Sequence, residues 1–288
     1  MPLRQREWWG RVRESRWCRW LAKPSARIVS TSVLTVVTVV AIIFATPADG
    51  GTDNLVAQIG NAVGLFPASS HISTPFQGTP AVGALFTTSN GKLGTHFCTA
   101  SVINSPHKNL LITAAHCVTG IQGTIAFVPG YVNGNAPYGI WYVTQVFTDQ
   151  AWTSSSNPDD DVAFVTVSQH NASVPIEDVT GAEQLGIGQP SNERARVMGY
   201  PNGANEPVIC SNWTRAFSAT QLEFDCDGYT DGTSGAPFLV RVDQATGQGM
   251  VIGVIGGYEE GGDSPSVSYS VVFGANVSSL YQTAAAAG

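Results

Sequence analysis

Short apolar runs separated by turn-forming residues dominate the chain from about residue 80 onward. They are rich in β-branched and aromatic residues and bounded by Gly, Pro, Asn and Ser, which is typical of β-strands. The predicted strands are 81–86, 95–103, 110–115, 124–128, 140–147, 162–167, 196–198, 207–209, 221–224, 237–242, 250–255 and 267–273. Two groups of six predict an all-β protein made of two six-stranded antiparallel barrels. A short C-terminal helix is predicted over 276–287, capped by Asn276.

A different pattern precedes these strands. Residues 1–27 hold an excess of Arg and Lys, and residues 28–48 contain no charge. As a helix, this apolar run would span roughly 31 Å, about one bilayer core. Basic residues ahead of it place the N-terminus in the cytoplasm and the body outside. A cleaved signal peptide and an uncleaved membrane anchor both fit. Residues 49–79 are predicted to be a linker or pro-segment, followed by a folded domain over 80–288 that divides near 180–195.

Charge and cysteine content narrow the function. The net charge is −7 although the N-terminal segment is basic, so the body is strongly acidic and would repel nucleic acid. Outside the cell the four body cysteines should oxidise. We predict the disulfides Cys98–Cys117 and Cys210–Cys226, because each pair flanks two runs that could be neighbouring strands. The chain lacks C-x-x-C and H-x-x-x-H spacing, which argues against a metal site.

Three distant segments contain the parts of a nucleophilic hydrolase. Ser234 lies in a glycine-rich turn over 231–237, His116 follows the apolar run at 110–115, and Asp161 directly precedes another apolar run. A serine hydroxyl needs a base within reach, and the base needs a carboxylate that fixes its tautomer. In such a turn the amides of Gly232 and Ser234 can form an oxyanion hole. Each segment alone also fits an ordinary turn, core histidine or solvated loop.

Together these segments give the chain a family resemblance. The motifs that carry it are 97–101, 113–117, 161–164, 198–201, 232–237 and 251–257. Over roughly 80–282 the chain resembles the chymotrypsin-like serine peptidases, particularly the bacterial secreted branch that includes glutamyl endopeptidases. The resemblance implies two barrels with the site in the cleft between them. It also implies that His116 is the general base, Asp161 its orienting carboxylate and Ser234 the nucleophile. Digestive members have an aspartate at the position of Thr233, so their activating ion pair does not carry over.

The substrate pocket implied by the resemblance differs from that of better-known members. Gly228 stands where trypsin-like members have an acid, although Asp227 or Asp231 could replace it after a shift of the loop. Ile255, followed by Gly256, stands where glutamyl-specific members have a histidine. The expected pocket is therefore uncharged and accepts an apolar or small side chain.

The sequence thus predicts a monomeric serine endopeptidase that forms an acyl-enzyme on Ser234 and needs no cofactor. Its expected partner is a polypeptide substrate, with no nucleic acid, and with a membrane only through residues 28–48 if these stay uncleaved. The expected location is extracytoplasmic, either secreted or tethered to the outer face of the cytoplasmic membrane. The alternative is a catalytically silent binding module on a protease fold.

Overall fold

The structure is a computed structural model, and it describes residues 71–170 and 173–287. The predicted basic segment, the apolar run and most of the predicted linker lie outside these residues. Within the described ranges, no helix combines the length and the hydropathy that crossing a bilayer requires.

The N-terminal half is a closed antiparallel barrel of six strands. These are β2 (Val82–Ser89), β3 (Lys92–Ile103), β4 (Leu110–Thr113), β5 (Thr124–Pro129), β6 (Trp141–Thr148) and β7 (Ala163–Ser168). They pair in the order β2-β3-β4-β7-β6-β5. All six were predicted from their apolar runs. Phe127 and Trp141 are buried in one core cluster with Val165, whereas Phe164, the residue of β7 directly before Val165, belongs to a second cluster on the opposite face of the strand. Closure leaves this half with no free sheet edge.

The C-terminal half is an eight-stranded sheet. It comprises β8 (Gln184–Leu185), β9 (Arg194–Gly199), β10 (Val208–Ala216), β11 (Gln221–Asp225), β12 (Pro237–Val240), β13 (Met250–Val254), β14 (Val267–Val271) and the N-terminal β1 (Thr74–Pro75). Seven strands follow the order β14-β11-β10-β9-β12-β13-β8, and β1 pairs with β10. β13 and β8 are parallel, unlike the antiparallel arrangement predicted. Strand pairing does not close this sheet among the described residues, so a second barrel remains a prediction.

The segment just before the predicted domain start packs against this sheet. Ser73 N–H donates to the Asp227 carbonyl at 2.9 Å, and Asp227 N–H donates to the His71 carbonyl at 2.7 Å. β1 then pairs with β10. Residues 71–79, which the sequence assigned to a linker or pro-segment, therefore contribute a strand edge and backbone hydrogen bonds to the folded body.

Helices are few and lie at the periphery. They are α1 (Gln150–Ser155), α2 (Ile176–Thr180) and α3 (Ala275–Ala287), with 3₁₀ turns at Pro158–Asp160 and Tyr258–Gly261. α3 is the predicted C-terminal helix, and Tyr281 on it packs edge-on against Phe164 of the barrel. Asn276 lies inside its first turn and donates to Asp160 Oδ1 at 3.0 Å, so Asn276 is not the predicted cap. The shorter helices carry too few turns for a sequence pattern.

Candidate active site

Strand pairing in the barrel brings His116 and Asp161 to the same edge. β4 and β7 are antiparallel and pair Thr113 with Ala163. The chain leaving β4 and the chain entering β7 therefore lie side by side. Ala114 and Ala115 are fully buried, and these small residues let the chain turn inside the barrel before His116 reaches the rim.

Asp161 is a buried carboxylate that accepts three N–H groups. Its Oδ1 accepts from the His116 amide at 2.9 Å, and its Oδ2 accepts from His116 Nδ1 at 2.7 Å and from the Gly257 amide at 2.9 Å. The carboxylate is fully buried and the imidazole is 15% exposed. Burying a carboxylate costs several kcal/mol unless hydrogen bonds compensate, and here they do. The same bonds fix the His116 tautomer with its proton on Nδ1, which leaves the Nε2 lone pair available.

The two preceding aspartates, Asp159 and Asp160, make hydrogen bonds that fix the 3₁₀ turn leading to Asp161. Asp159 Oδ1 accepts from Gln221 Nε2 at 2.7 Å. Asp160 Oδ2 accepts from Asn157 Nδ2 at 2.6 Å. These two carboxylates, on the 3₁₀ turn, bind the side-chain amides of Gln221 on β11 and of Asn157 before the turn. Of the three aspartates, Asp161 is the one hydrogen-bonded to His116.

The turn that carries Ser234 depends on two glycines with positive φ. Gly232 has φ +92° and Gly235 has φ +81°. A Cβ at Gly232 would lie 2.6 Å from the Asn202 amide nitrogen, and a Cβ at Gly235 would lie 2.1 Å from the Thr99 carbonyl oxygen. Both positions combine a left-handed backbone with direct contact to other backbone, so each needs glycine.

Thr99 on β3 ties this turn to the N-terminal barrel. Its amide donates to the Ser234 carbonyl at 2.8 Å, and its hydroxyl donates to the Gly232 carbonyl at 3.1 Å. The same hydroxyl accepts from the Tyr200 amide at 2.9 Å. One buried residue thus orients both peptide units beside Ser234, although it belongs to the other half of the domain.

Thr233, directly before Ser234, stabilises the turn through a hydrogen bond inside the domain. Its hydroxyl donates to the Thr230 carbonyl at 2.7 Å, and the residue is buried. Gly235 N–H donates to the Ile255 carbonyl at 2.7 Å. Contacts inside the domain support the turn, and none of them uses a chain terminus.

The amides of Gly232 and Ser234 donate to no acceptor within the described ranges, so both stay available for a ligand oxygen. The Ser234 hydroxyl likewise makes no hydrogen bond inside 71–170 or 173–287. Ser234 and His116 nevertheless line one open cavity of about 880 Å³. Catalytic hydrogen bonds are often long before substrate binds and tighten in the complex.

The pocket residues predicted from the sequence are only partly brought together. Ile255 lines the cavity, but Gly228 and Gly256 are not among its lining residues. A Cβ at Gly228 would lie 2.2 Å from the Ser73 hydroxyl, so a carboxylate would not fit there without moving Ser73. A Cβ at Gly256 would lie 3.0 Å from Asp161 Oδ2. Gly256 therefore gives space to the buried carboxylate rather than shaping the pocket.

Two disulfides are present in the structure. Cys98 is joined to Cys117 with a Cα–Cα distance of 6.1 Å, and Cys210 is joined to Cys226 with a Cα–Cα distance of 6.6 Å. The ligand atoms of Cys98, His116 and Cys117 lie within 4.8 Å of one another. Because both sulfurs are oxidised, they offer no thiolate, and the group is not a metal site.

Several residues of the site carry no distinctive sequence signal. Gly257 acts through its amide N–H, which every residue type except proline possesses. Thr99 adjoins Cys98 in a recognised motif, but its link to the Ser234 turn depends on the packing of the two halves.

Glu183, between those halves, was not singled out. It is fully buried and accepts from the Gly249 amide at 2.5 Å, and burial raises its carboxyl pKa to about 8.

Comparison with known proteins agrees with this architecture. Residues 94–273 match the model of the trypsin-like peptidase domain. The protease Anisep from Arthrobacter nicotinovorans is 25% identical and superposes with a TM-score of 0.63 over 75% of this chain and 100% of that one. The thermostable serine protease AL20 from an extremophilic microorganism is 22% identical, with a TM-score of 0.62 over 73% of this chain and 99% of that one.

A Glu endopeptidase solved in complex with MPD is 17% identical and has the same fold, with a TM-score of 0.59 over 76% of this chain and 98% of that one. No curated protein sequence matches the chain significantly. The family model covers more than half of the chain and includes His116, Asp161 and Ser234. The chain therefore belongs to the trypsin-like peptidase family and is related to bacterial serine proteases.

Proposed function

We propose that the protein is a serine endopeptidase, with Ser234 as nucleophile, His116 as general base and Asp161 as the carboxylate that orients the base. The observation that carries this proposal is the buried His116–Asp161 pair at the rim of the cavity that also contains Ser234. Because Nδ1 of His116 is already hydrogen-bonded to Asp161, only Nε2 of His116 is free to accept a proton. Membership of the peptidase family supports a polypeptide substrate.

In the acylation step, His116 Nε2 takes the proton of Ser234 Oγ while Oγ attacks the carbonyl carbon of the substrate. The carbonyl oxygen becomes negative and accepts from the free amides of Gly232 and Ser234. One such donor is worth about 3 kcal/mol of barrier. The imidazolium is stabilised by Asp161, and its proton then goes to the leaving amine as the C–N bond breaks.

Deacylation repeats this sequence with water. His116 Nε2 takes a proton from the water as its oxygen attacks the ester carbon, and the proton returns to Ser234 Oγ when the carboxylic acid leaves. Each step needs one base and two amide donors, so the residues of this chain suffice and no cofactor is required.

We further propose that the protein works outside the cytoplasm, as a monomer. The two disulfides support this location because such bridges persist in oxidising compartments. The basic segment followed by an uncharged run at residues 28–48 also supports export out of the cytoplasm. Whether that run is cleaved or anchors the protein is tested by the N-terminal sequence of the mature chain.

The direct test is hydrolysis of casein and of a peptide library by the purified chain, alongside Ser234→Ala. We expect new peptide termini with wild type and none above background with the variant. Equal cleavage by both would remove Ser234 from the mechanism. Absence of cleavage by a folded wild type that still binds peptides would instead favour the catalytically silent binding module.

A further inference from the structure

Basic side chains are scarce in the folded body, and two of them lie together. The chain has 14 Lys and Arg, of which eight precede residue 28, so 14 − 8 = 6 remain for residues 28–288. Three of these six bind acids, namely Lys108 with Asp178, Arg215 with Glu223 and Asp225, and Arg241 with Glu193. Arg194 and Arg196 form no ion pair with any residue that the structure describes. This pair is therefore a local exception on the surface of an acidic body.

Both arginines project from the outer face of β9. Residues two apart on a strand point to the same side, roughly 7 Å from one another along the strand. Ala195 and Val197, which alternate with them, are buried in the core of the C-terminal half. Arg194 is exposed and Arg196 is half-buried. Two positive charges thus lie side by side where a ligand can reach them.

An exposed tryptophan shares this face. β9 and β10 are antiparallel, and they place Trp213 opposite Arg194 and Ser211 opposite Arg196. Directly opposite residues of an antiparallel pair project from the same face of the sheet. The Trp213 side chain is 58% exposed, although an indole has a large apolar surface. The sheet therefore presents an aromatic ring beside the two arginines.

The N-terminal strand extends this surface. An open cavity of about 340 Å³ beside Arg196 is lined by His71, Ile72, Thr74 and Ser211. Ile72 is 65% exposed, and none of the described residues that line this cavity is acidic. We call Ile72, Arg194, Arg196 and Trp213 together the basic-aromatic face.

Acids that adjoin this face already have basic partners. Glu193, directly before Arg194, accepts from Arg241 at 3.0 Å. Farther along the outer side of β10, Arg215 is paired with Glu223 and Asp225 of β11. The charge of the basic-aromatic face is therefore set by Arg194 and Arg196.

The chain joins the body at the edge of this face. His71 is the first residue that the structure describes, and 70 − 48 = 22 residues separate it from the uncharged run at 28–48. A flexible chain of that length has an average end-to-end distance of about 25 Å. A body tethered so closely meets the bilayer at an effective concentration in the millimolar range, so a weak attraction is enough to hold it there.

We propose that the basic-aromatic face docks on an anionic phospholipid surface at the outer side of the membrane. Guanidinium groups bind lipid phosphates through paired hydrogen bonds. Tryptophan is favoured at the level of the headgroups, where its ring is partly removed from water, and Ile72 would enter the same layer. A soluble acid would bind the arginines but leave Trp213 and Ile72 in water, so a membrane fits the whole face better.

This inference rests on the proposed location outside the cytoplasm. It goes beyond the membrane contact expected from the sequence, which involved residues 28–48 alone. The folded body itself would bind lipid, through side chains that a cleaved, mature chain also retains.

The first test measures which side chains the bilayer covers. The full chain with Ser234→Ala is reconstituted in vesicles of phosphatidylcholine or of an equal mixture of phosphatidylcholine and phosphatidylglycerol. Hydroxyl radicals then oxidise exposed side chains, which mass spectrometry identifies. We expect oxidation of Ile72 and Trp213 to be roughly fivefold lower with the anionic vesicles. Val146 and Val174, which are 43% and 52% exposed, are internal controls and should not change. Equal oxidation of Trp213 in both kinds of vesicle would overturn the proposal.

The second test uses variants matched in charge. Arg194→Gln/Arg196→Gln removes two charges from the basic-aromatic face, and Lys92→Gln/Lys108→Gln removes two from the other half. The ratio of docked to undocked body, measured from Trp213 oxidation, should fall roughly 25-fold in the arginine variant and change little in the lysine variant. Added salt should weaken docking of the unsubstituted face. Equal losses in the two variants would show that net charge alone matters, which would contradict the assignment of this face.

Soluble anions test the competing partner. Inorganic phosphate and polyglutamate are added to the same chain without vesicles, and Trp213 oxidation is measured again. We expect neither to protect Trp213 as the anionic vesicles do. Equal protection by either would assign the face to a soluble anion and overturn the membrane proposal.

Failure of the proposed function is separable from failure of this inference. Because the footprinting uses Ser234→Ala, its outcome does not depend on turnover. Protection of Trp213 by anionic vesicles supports the docking face even if the wild type hydrolyses nothing. Absence of protection overturns the docking face even if the wild type is an active peptidase.

Discussion

The two halves of the domain prepare for the reaction in opposite ways. The N-terminal barrel closes on itself, and its His116–Asp161 pair is buried and hydrogen-bonded before any ligand binds. The C-terminal half contributes the Ser234 turn, whose two amides have no acceptor in the described part of the chain, and most of the cavity wall. One half therefore fixes the tautomer of His116, whereas the other presents two amides whose proposed acceptor is the substrate.

The comparison also shows where the halves must stay aligned. Thr99, on a barrel strand, is hydrogen-bonded to the carbonyls of Gly232 and Ser234, and Gly257 of the C-terminal half donates to Asp161. Each half thus hydrogen-bonds to a proposed catalytic segment of the other half. A substitution in either half should therefore lower the reaction rate.

The largest effect should come from the barrel side, with Asp161→Asn. An amide can no longer accept all three N–H groups now bound by Asp161, and the tautomer of His116 is no longer fixed. We expect kcat to fall by about 10⁴ while near-UV circular dichroism stays close to that of wild type. A loss of less than tenfold in a folded variant would show that the pair is structural and not part of the base.

The disulfides sharpen the contrast between stability and activity. Removing either bridge by paired Cys→Ala substitution should cost about 3 kcal/mol, because the bridged cysteines are 19 and 16 residues apart. Loss of Cys98–Cys117, which adjoins Thr99 and His116, should also lower kcat at temperatures where the variant is folded. Loss of Cys210–Cys226 should lower kcat less. Denaturant unfolding and steady-state rates measure both effects, and equal kcat losses would contradict the distinction.

Glu183 contacts both halves of the domain, and its ionisation should make the unfolding free energy depend on pH. Its amide donates to Val102 of the barrel, and its side chain accepts from Gly249 of the other half. Because burial raises its pKa from 4.5 to about 8, the folded state binds a proton that the unfolded chain has lost. Its stabilising contribution is complete below pH 4.5 and is lost as pH rises toward 8. We expect unfolding free energy to fall by roughly 2 kcal/mol between pH 6 and pH 8.

The control for this effect is Glu183→Gln, which cannot ionise but keeps the size of the side chain. Its stability should change less over the same pH range, as measured by urea unfolding in matched buffers. Parallel profiles for wild type and variant would show that Glu183 is not the responsible group.

The smallest predicted effect comes from Thr99, the barrel residue that is hydrogen-bonded to the other half. Thr99→Val keeps the side-chain shape but removes the hydroxyl that binds the Gly232 carbonyl and the Tyr200 amide. The turn that carries Gly232 and Ser234 should become less well ordered. We expect kcat to fall roughly tenfold and KM to change little. Thr99→Ser keeps the hydroxyl and should restore most of the rate. A rate loss that serine does not restore would point to packing instead.

The sequence was informative where residue type and local pattern coincide with structure. The apolar runs predicted the barrel strands, and the glycines around Ser234 marked a turn that needs positive φ. Asp161 was predicted because it directly precedes an apolar run, and the structure places Asp161 against His116 while Asp159 binds Gln221.

What the sequence did not reveal depends on contacts between distant segments. The Gly257 amide, the carbonyls bound by Thr99 and the packing of Ser73 against Gly228 are backbone or small-residue contacts without a characteristic residue pattern. β1 and β8 have only two residues each, too few for an alternating pattern. Glu259, Glu260 and Asp263 line the cavity, although the sequence analysis did not single them out.

The most direct test of the central claim is to treat the folded protein with a fluorophosphonate and locate the adduct by tandem mass spectrometry. We predict one adduct, on the peptide that contains Ser234, which is absent in Ser234→Ala and forms far more slowly in His116→Ala. An unlabelled folded wild type, or an adduct on another residue, would contradict the claim that the two halves together activate this hydroxyl.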